Sequence, residues 1–293
     1  MRRNIILIPP WETYGDTFSV VGLYYFLLRY YERVHLYLFN NPSLNSYFSC
    51  YFSNETLFGK NLFICNDPVK LIDSGDYGDY DICNTLTAAW DKPQFDFFDL
   101  EKVDKNYYFN DLNPLYNKLN IEENYIKNPN KHLPNLELSI NHIFYYDLLG
   151  LNNNVRMDYF DYKRNLEQES LLKNNILKSR GIVGGYNIVN DPIGANLGNI
   201  ITNGLPIINI SDLATCVGQL TMLVESAEEI HFVEGNNVNF FYHCDYKKIF
   251  KYHKKINFHV KLRNRDWKIT NMMLDSAWKM MNEPKLENWN FIF

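Results

Sequence analysis

The sequence predicts an α/β protein of two small βαβ domains that face each other across a cleft. Three observations lead there. Short continuous apolar runs such as Ile5-Ile6-Leu7-Ile8 suit strands buried on both faces of a parallel sheet. These runs alternate with helical segments, as βαβ units require. The alternation occurs twice, on either side of a polar middle, and the chain of 293 residues accommodates two domains of modest size.

The first strand, Ile5 to Ile8, ends at Pro9-Pro10. A loop, Trp11 to Thr17, follows, and Ser19 to Arg33 reads as a helix apolar on nearly all sides. Val34 to Phe39 is the next strand and completes a βαβ unit with a right-handed crossover. Further strands are predicted at Asn61 to Cys65 and Asp81 to Thr85. Asp91 to Leu136 is rich in Asn, Asp, Lys, Pro and Tyr and reads as loops and short helices. Ile140 to Leu149 reads as a helix ended by Gly150 at its C-cap, and Leu166 to Lys178 as a helix at the connection between domains.

The second alternation begins at Gly185. Strands are predicted at Tyr186 to Asn190, Pro206 to Ile210, Glu229 to Val233 and Ile256 to Val260. Between them, Asp212 to Ala227 reads as a helix capped by Asp212, with Leu213, Val217, Leu220, Leu223 and Val224 on one face. Another helix starts at Asn237 and runs to Cys244, and one more is predicted over Asn271 to Met281. The division is residues 1–165 as an N-terminal Rossmann-like acceptor domain and 166–265 as a C-terminal Rossmann-like nucleotide-sugar domain. Residues 266–293 form a helical tail that packs back on the N-terminal domain.

Composition narrows the function. Aromatic residues make up 16% of the chain and hydrophobic ones 46%, so the chain as a whole is not disordered. The formal net charge of -5 disfavours binding to duplex nucleic acid, which draws on phosphate attraction. The five cysteines are widely spaced with no C-x-x-C, which reads as free thiols in a reducing compartment. The seven histidines form no zinc-type spacing, and no metal is expected. The longest apolar run, Val20 to Leu28, is too short for a membrane span, and the N-terminus lacks a signal-peptide cleavage pattern. The sequence reads as cytoplasmic.

In open α/β sheets ligands bind beyond the carboxyl ends of the strands, so the loops there are the candidate sites. The first carries Glu12, Gly15 and Asp16. Gly15 permits a tight turn, and a carboxylate in this place can act as general base on a hydroxyl; Asp16 is the first choice and Glu12 the second. The bland alternative is that Asp16 caps the helix. The second loop, Val233-Glu234-Gly235-Asn236-Asn237, joins a strand to a helix N-terminus, where exposed amides and the macrodipole bind phosphate without a metal. The third, Asn190 to Asn199, holds two glycines and several amides that suit a diphosphate, although neither G-x-G-x-x-G nor a P-loop is present. A plain turn or flexible loop is the alternative for both. Positive charge is available from Arg156, Arg164, Lys261, Arg263 and Arg265, with Arg263 and Arg265, just after a strand, the most suggestive. His231 and His243 flank the second loop and read as structural. Asp79-Tyr80-Asp81 reads as a surface turn rather than a metal-holding D-x-D.

The opening Ile5 to Ile8, running through Gly15-Asp16 into a buried helix, resembles the start of GT-B glycosyltransferases of the heptosyltransferase-like and fucosyltransferase-like groups. Phe144 to Leu151 and Arg156 to Phe160 resemble the segment before the interdomain connection in phage, viral and bacterial relatives. Tyr186 to Asp191, Leu205 to Ile210 and Ala227 to Gly235 are similar to the donor half of these enzymes. The resemblance implies a metal-independent, inverting transfer of a sugar from a nucleotide sugar to a glycan or other hydroxyl acceptor, with no cofactor. It implies Asp16 as the base, with Asn190, Asp191, Glu234, Gly235, Asn236 and Asn237 around the diphosphate. Asn209 would lie near the donor base, and Arg263 or Arg265 would assist. Many relatives carry Ser where this chain has Gly235 and Asn236, which leaves backbone amides as the phosphate donors here. Two alternatives stay open: a non-catalytic GT-B-like binding or assembly protein, and another nucleotide-sugar enzyme of epimerase-like or pyruvyl-transferase-like type.

Overall fold

The computed structural model describes residues 4–9, 14–38, 42, 62–65, 80–85, 108–109, 115–126, 146, 149–152, 154–162, 164–192, 194, 196–213, 217–233, 236–249, 255–259 and 288–292. The chain divides into two compact units, Met1–Asp161 and Tyr162–Phe293. Each is α/β with a parallel sheet, as the sequence predicts at that level.

In the first unit the described strands are β1 (Asn4–Ile8), β2 (Arg33–Tyr37), β3 (Leu62–Cys65), β4 (Tyr80–Asn84) and β5 (Tyr108–Phe109). They lie in the order β3-β2-β1-β4-β5, all parallel. β1 is central and buried at all five positions, which is why its sequence is a continuous apolar run.

The single helix predicted over Ser19 to Arg33 is two short ones, α1 (Tyr14–Ser19) and α2 (Val21–Leu27). The physical reason is Tyr146. In an unbroken helix the Leu23 amide would donate to the Ser19 carbonyl. Here the Tyr146 hydroxyl stands between them, accepting from Leu23 N at 3.2 Å and donating to Ser19 O at 2.9 Å. A side chain inserted into the helical ladder is a recognised cause of a kink. The end of α2 then tightens through bonds from Arg29 N to Phe26 O and from Tyr30 N to Leu27 O. A third helix, α3 (Asn154–Asp158), crosses α2 at Gly22, where an added Cβ would collide with the Arg156 carbonyl oxygen. Of the helix predicted over residues 140–149, Tyr146 is helical and Leu149 lies in the closing turn, and Gly150 has the positive φ of 69° that a C-cap glycine supplies.

The second unit opens with α4 (Leu166–Ser179), capped by Asn165, whose side chain accepts from Gln168 N at 3.1 Å. This helix, expected at the junction, lies within the second unit. The strands are β6 (Asn187–Asn190), β7 (Ile207–Asn209), β8 (Ile230–Val233), β9 (Ile256–His259) and β10 (Trp289–Ile292). Their order is β10-β9-β8-β6-β7, again all parallel.

Two predictions fail here. The helix Asp212 to Ala227 is a 3-10 turn at Ile210–Asp212, an extended Leu213, a second 3-10 turn at Val217–Leu220 and α5 (Thr221–Glu225). Asp212 does not cap a long helix; it accepts from Asn209 Nδ2 at 3.1 Å. Gly218 lies hard against the Tyr162 ring, and Thr221 Oγ1 takes the Gly218 carbonyl at 2.8 Å, so the segment stays tightly wound. The predicted burial of Val217, Leu220, Leu223 and Val224 nonetheless holds. The helical tail is the second correction. Its last segment is β10, paired with β9 in the second unit's sheet. Trp289 Nε1 and Asn288 Nδ2 both donate to Asp245 Oδ2 on α6 (Asn236–Tyr246), at 2.7 and 2.6 Å, which fixes the strand there. The helix expected over residues 271–281 lies outside the described residues.

In-register residues of parallel strands point to the same face. One face of the second sheet carries Ile188, Ile208, Ile230, Phe232, Ile256, Phe258 and Trp289. Helix α6 covers it, with Phe241 stacked on Phe232 at 5.3 Å and Tyr242 edge-on to Trp289 at 5.2 Å. The opposite face carries Asn187, Asn209, His231, Asn257, His259 and Asn290. Among the described residues, no helix is long and apolar enough to cross a membrane.

Candidate functional site

Both sheets reverse their strand order beside their first strand. In the second unit the reversal lies between β6 and β8, which are hydrogen-bonded neighbours. Ligands of open α/β sheets bind in the crevice at such a point, beyond the strand carboxyl ends. β6 ends at Asn190 and β8 at Val233, so the loops beginning at Asn190 and at Glu234 leave positions about 5 Å apart, one strand spacing. The structure thus sets side by side the strand ends from which the two loops singled out for a diphosphate depart. Helix α6 begins at Asn236, and Asn237 follows in its first turn. Glu234 and Gly235 lie outside the described residues.

The side chains at the β6–β7 end are used on one another. Asn209 Oδ1 accepts from Asp191 N at 3.1 Å and from Ser211 N at 3.2 Å. Ser211 Oγ donates to Asn190 Oδ1 at 3.1 Å, and Asp191 Oδ2 accepts from Leu197 N at 3.2 Å. Asp191 therefore caps the 3-10 turn Leu197–Ile200, while Asn209 ties the end of β7 to the start of the loop. Two left-handed residues, Gly194 with φ 69° and Asn196 with φ 57°, curl the loop back. Asn190, Asp191 and Asn209 brace this edge.

In the first unit the reversal lies between β1 and β4, where Thr85 donates to the Ile8 carbonyl through its amide at 3.2 Å and its hydroxyl at 2.7 Å. The predicted loop over Trp11 to Thr17 is already helical from Tyr14, so Gly15 is a helical residue rather than the pivot of a turn. Asp16 is the third residue of α1, on the segment that follows β1. Glu12, Arg263 and Arg265 lie outside the described residues. Of the other cations, Arg164 is engaged with Glu169 at 2.5 Å and Glu225 at 2.8 Å, and Arg156 is buried on α3. Burial pushes the Glu169 carboxyl above its ordinary pKa, against the pull of Arg164.

Asp79-Tyr80-Asp81 is not a surface turn: Tyr80 and Asp81 belong to β4. Asp81 is buried, accepts from the Tyr31 hydroxyl at 2.8 Å and pairs with Lys118 at 3.2 Å. Asp79 lies outside the described residues. Among the described residues no group of three or more His, Cys, Asp or Glu side chains is placed to hold a metal ion. Cys83 and Cys244 are buried thiols outside any disulfide, and burial pushes the Cys83 thiol pKa up.

The polar face of the second sheet holds His231, which the sequence reading took as structural, and residues that it passed over. Asn203 and Asn187 exchange amide bonds at 2.7 and 3.2 Å, and Asn203 Nδ2 also donates to Glu229 Oε1 at 2.8 Å. Glu229 Oε2 lies 3.3 Å from His231 Nε2, and His231 Nδ1 lies 3.0 Å from His259 Nε2, the two rings stacked. Asn290 Nδ2 donates to Asn257 Oδ1 at 3.0 Å. Burial, then the His231 ring, holds His259 below the usual histidine pKa. The signal was present in the sequence as polar residues two positions apart in two of the strands: Glu229 and His231, Asn257 and His259.

No protein-family model, no curated protein and no solved structure matches this chain.

Proposed function

We propose that the protein is a GT-B-like glycosyltransferase that moves a sugar from a nucleotide-sugar donor to a hydroxyl acceptor. The observation that supports this reading is the pairing of β6 with β8 at the reversal point of the second sheet, with α6 the next described helix after β8. A diphosphate resting there meets backbone amides and the positive end of the helix. As the donor's glycosidic bond breaks, negative charge grows on the departing diphosphate, and preorganised amides favour that state over the ground state. Arg263 and Arg265 add positive charge, and Glu234 to Asn237 line the helix entrance. In the first unit, Asp16 takes the proton of the acceptor hydroxyl, with Glu12 as the second carboxylate. Attack in line with the leaving group inverts the anomeric carbon.

Incubation with a panel of UDP-, GDP-, dTDP- and ADP-sugars tests this reading. One nucleotide should raise the thermal midpoint, and its sugar should be hydrolysed slowly without acceptor. Asp16→Asn should lower transfer by about 100-fold or more, the scale of general-base loss, while nucleotide binding stays unchanged. Full turnover in that variant removes Asp16 from the mechanism.

A binding or assembly protein on the same architecture is the second reading. It is favoured by the way Asn190, Asp191 and Asn209 use polar atoms within the β6–β7 end, on Ser211, on Asp212 and between Asp191 and Asn209. It predicts no turnover and no nucleotide-induced thermal shift.

A further inference from the structure

We propose that His259, backed by His231 and Glu229, is a proton-holding contact for the diphosphate of a ligand at the C-terminal edge of the second sheet. The identity of the ligand rests on the nucleotide-sugar reading. His259 is the last residue of β9 and stands level with Val233, the last residue of β8. Its backbone is therefore one strand spacing, about 5 Å, from where the Glu234 loop begins, and roughly 10 Å from the Asn190 loop. It shares its sheet face with Val189 and Val233, against which Leu197 and Ile201 of the loop after β6 pack.

The hydrogen-bond chain fixes where protons sit. Asn290 Nδ2 donates to Asn257 Oδ1, so Asn257 turns its amide nitrogen, a donor, toward His231 Nε2 at 3.4 Å. Glu229 Oε1 takes the Asn203 amide, and Oε2 faces the same His231 nitrogen. The carboxylate, the nearer of the two at 3.3 Å and able only to accept, selects the tautomer with the hydrogen on His231 Nε2; the Asn257 amide nitrogen then makes no bond to it, and His231 Nδ1 is an acceptor. The partner at Nδ1 is His259 Nε2, which must then donate. Neutral His259 is left with Nδ1 as its unprotonated nitrogen, and the next proton goes there. The cation so formed is backed through His231 by the Glu229 carboxylate, the arrangement by which a carboxylate orients a histidine and steadies its charged form.

Among the described residues, the titratable groups on this face are Glu229, His231 and His259. Asp191 and Asp212 lie at the β6–β7 end, and Lys255 precedes β9. The turn Leu197–Ile200 brings no charged side chain. Without an anion, burial and the neighbouring ring hold the His259 pKa below the usual histidine value, which favours the neutral ring. A diphosphate beside it favours the charged form, so binding takes one proton from solvent onto Nδ1; no covalent bond forms or breaks.

The test is calorimetric titration of the full chain with inorganic pyrophosphate near neutral pH, in two buffers of different ionisation enthalpy. The quantity read is the difference in proton uptake between wild type and His259→Gln, which cancels the proton changes of pyrophosphate itself. Wild type should take up a larger fraction of a proton, and H259Q should bind about tenfold more weakly, the scale of one charge-assisted hydrogen bond. Glu229→Gln should reduce uptake and leave binding closer to wild type. Should H259Q fail to fold, ring-nitrogen NMR of the wild type decides: pyrophosphate should convert His259 Nδ1 from the unprotonated to the protonated type. Equal affinity and equal uptake in H259Q, or an unchanged Nδ1 signal with pyrophosphate bound, would overturn this proposal and leave the nucleotide-sugar reading standing. No binding of pyrophosphate or of any nucleoside diphosphate by wild type would overturn both.

Discussion

The two faces of the second sheet are cut from the same strands, yet they differ in every property that matters. The face under α6 is built from Ile188, Ile230, Phe232, Ile256, Phe258 and Trp289, and its contacts are rings and methyl groups. The opposite face carries Val189 and Val233 under Leu197 and Ile201, and beside them a chain of amides, imidazoles and one carboxylate running from Asn203 to His259. A parallel sheet covered on both sides is ordinarily apolar on both. Buried polar side chains bring little net stability even when paired, whereas buried apolar area is the main favourable term in folding. The comparison teaches that one face holds the unit together and the other positions donors and acceptors toward the strand ends.

The largest effect should come from the apolar face. Phe232 is fully buried between α6 and Trp289, and Phe232→Ala should cost about 3–5 kcal/mol in urea unfolding, without altering proton uptake by the ligand site. A loss under about 1 kcal/mol would break the division of labour between the faces.

The first unit's sheet sharpens the comparison with a histidine set beside a tyrosine ring. His35 on β2 is buried against Tyr80, and burial, then Arg33, lower its pKa to about 4 from the ordinary 6.5. Its folded pKa lies below its unfolded one, so the unfolded chain binds more protons between these values. Its contribution is complete above about pH 6.5 and is lost as pH falls toward 4, by about 3 kcal/mol in all. His35→Gln should flatten the stability–pH curve across that window by this amount, as read from urea midpoints. An unchanged slope would mean that His35 stays accessible to protons in the folded state.

The smallest effect belongs to the polar chain's outer end. Asn203 is exposed but satisfies the buried Asn187 amide and one oxygen of Glu229. Asn203→Ala should cost about 1–2 kcal/mol by stranding Asn187. It should also shift the His231 ring-nitrogen signals, since Glu229 loses a donor. Stability loss without that shift would show that the chain is not continuous.

Much of this architecture is written in short-range pattern. β1 was legible because central parallel strands need apolar residues at successive positions, β6 and β8 because Ile188-Val189 and Phe232-Val233 are shorter runs of the same kind, and the loops after β6 and β8 because they follow such strands. What escaped depends on distant partners. The break between α1 and α2 is made by Tyr146, more than a hundred residues away, and no local feature of Ser19 to Leu23 announces it. β10 alternates Trp and Phe with Asn and Ile, but only Asp245 on α6 and pairing with β9 select it as a strand. Asp212 resembled a helix cap, and its true partner is Asn209, three residues earlier on β7. The histidine pair was hidden because each ring looks solitary in sequence, while sheet register places them together.

The central claim is that a nucleotide's charged linker binds at the reversal point of the second sheet. Backbone amide NMR of the full chain, titrated with UDP and then GDP, tests it most directly. The account predicts saturable shifts concentrated at Asn190–Ile201, at the first turn of α6 and at the end of β9. Shifts confined to α4 and the amino ends of the strands, or none with either nucleotide, would contradict it.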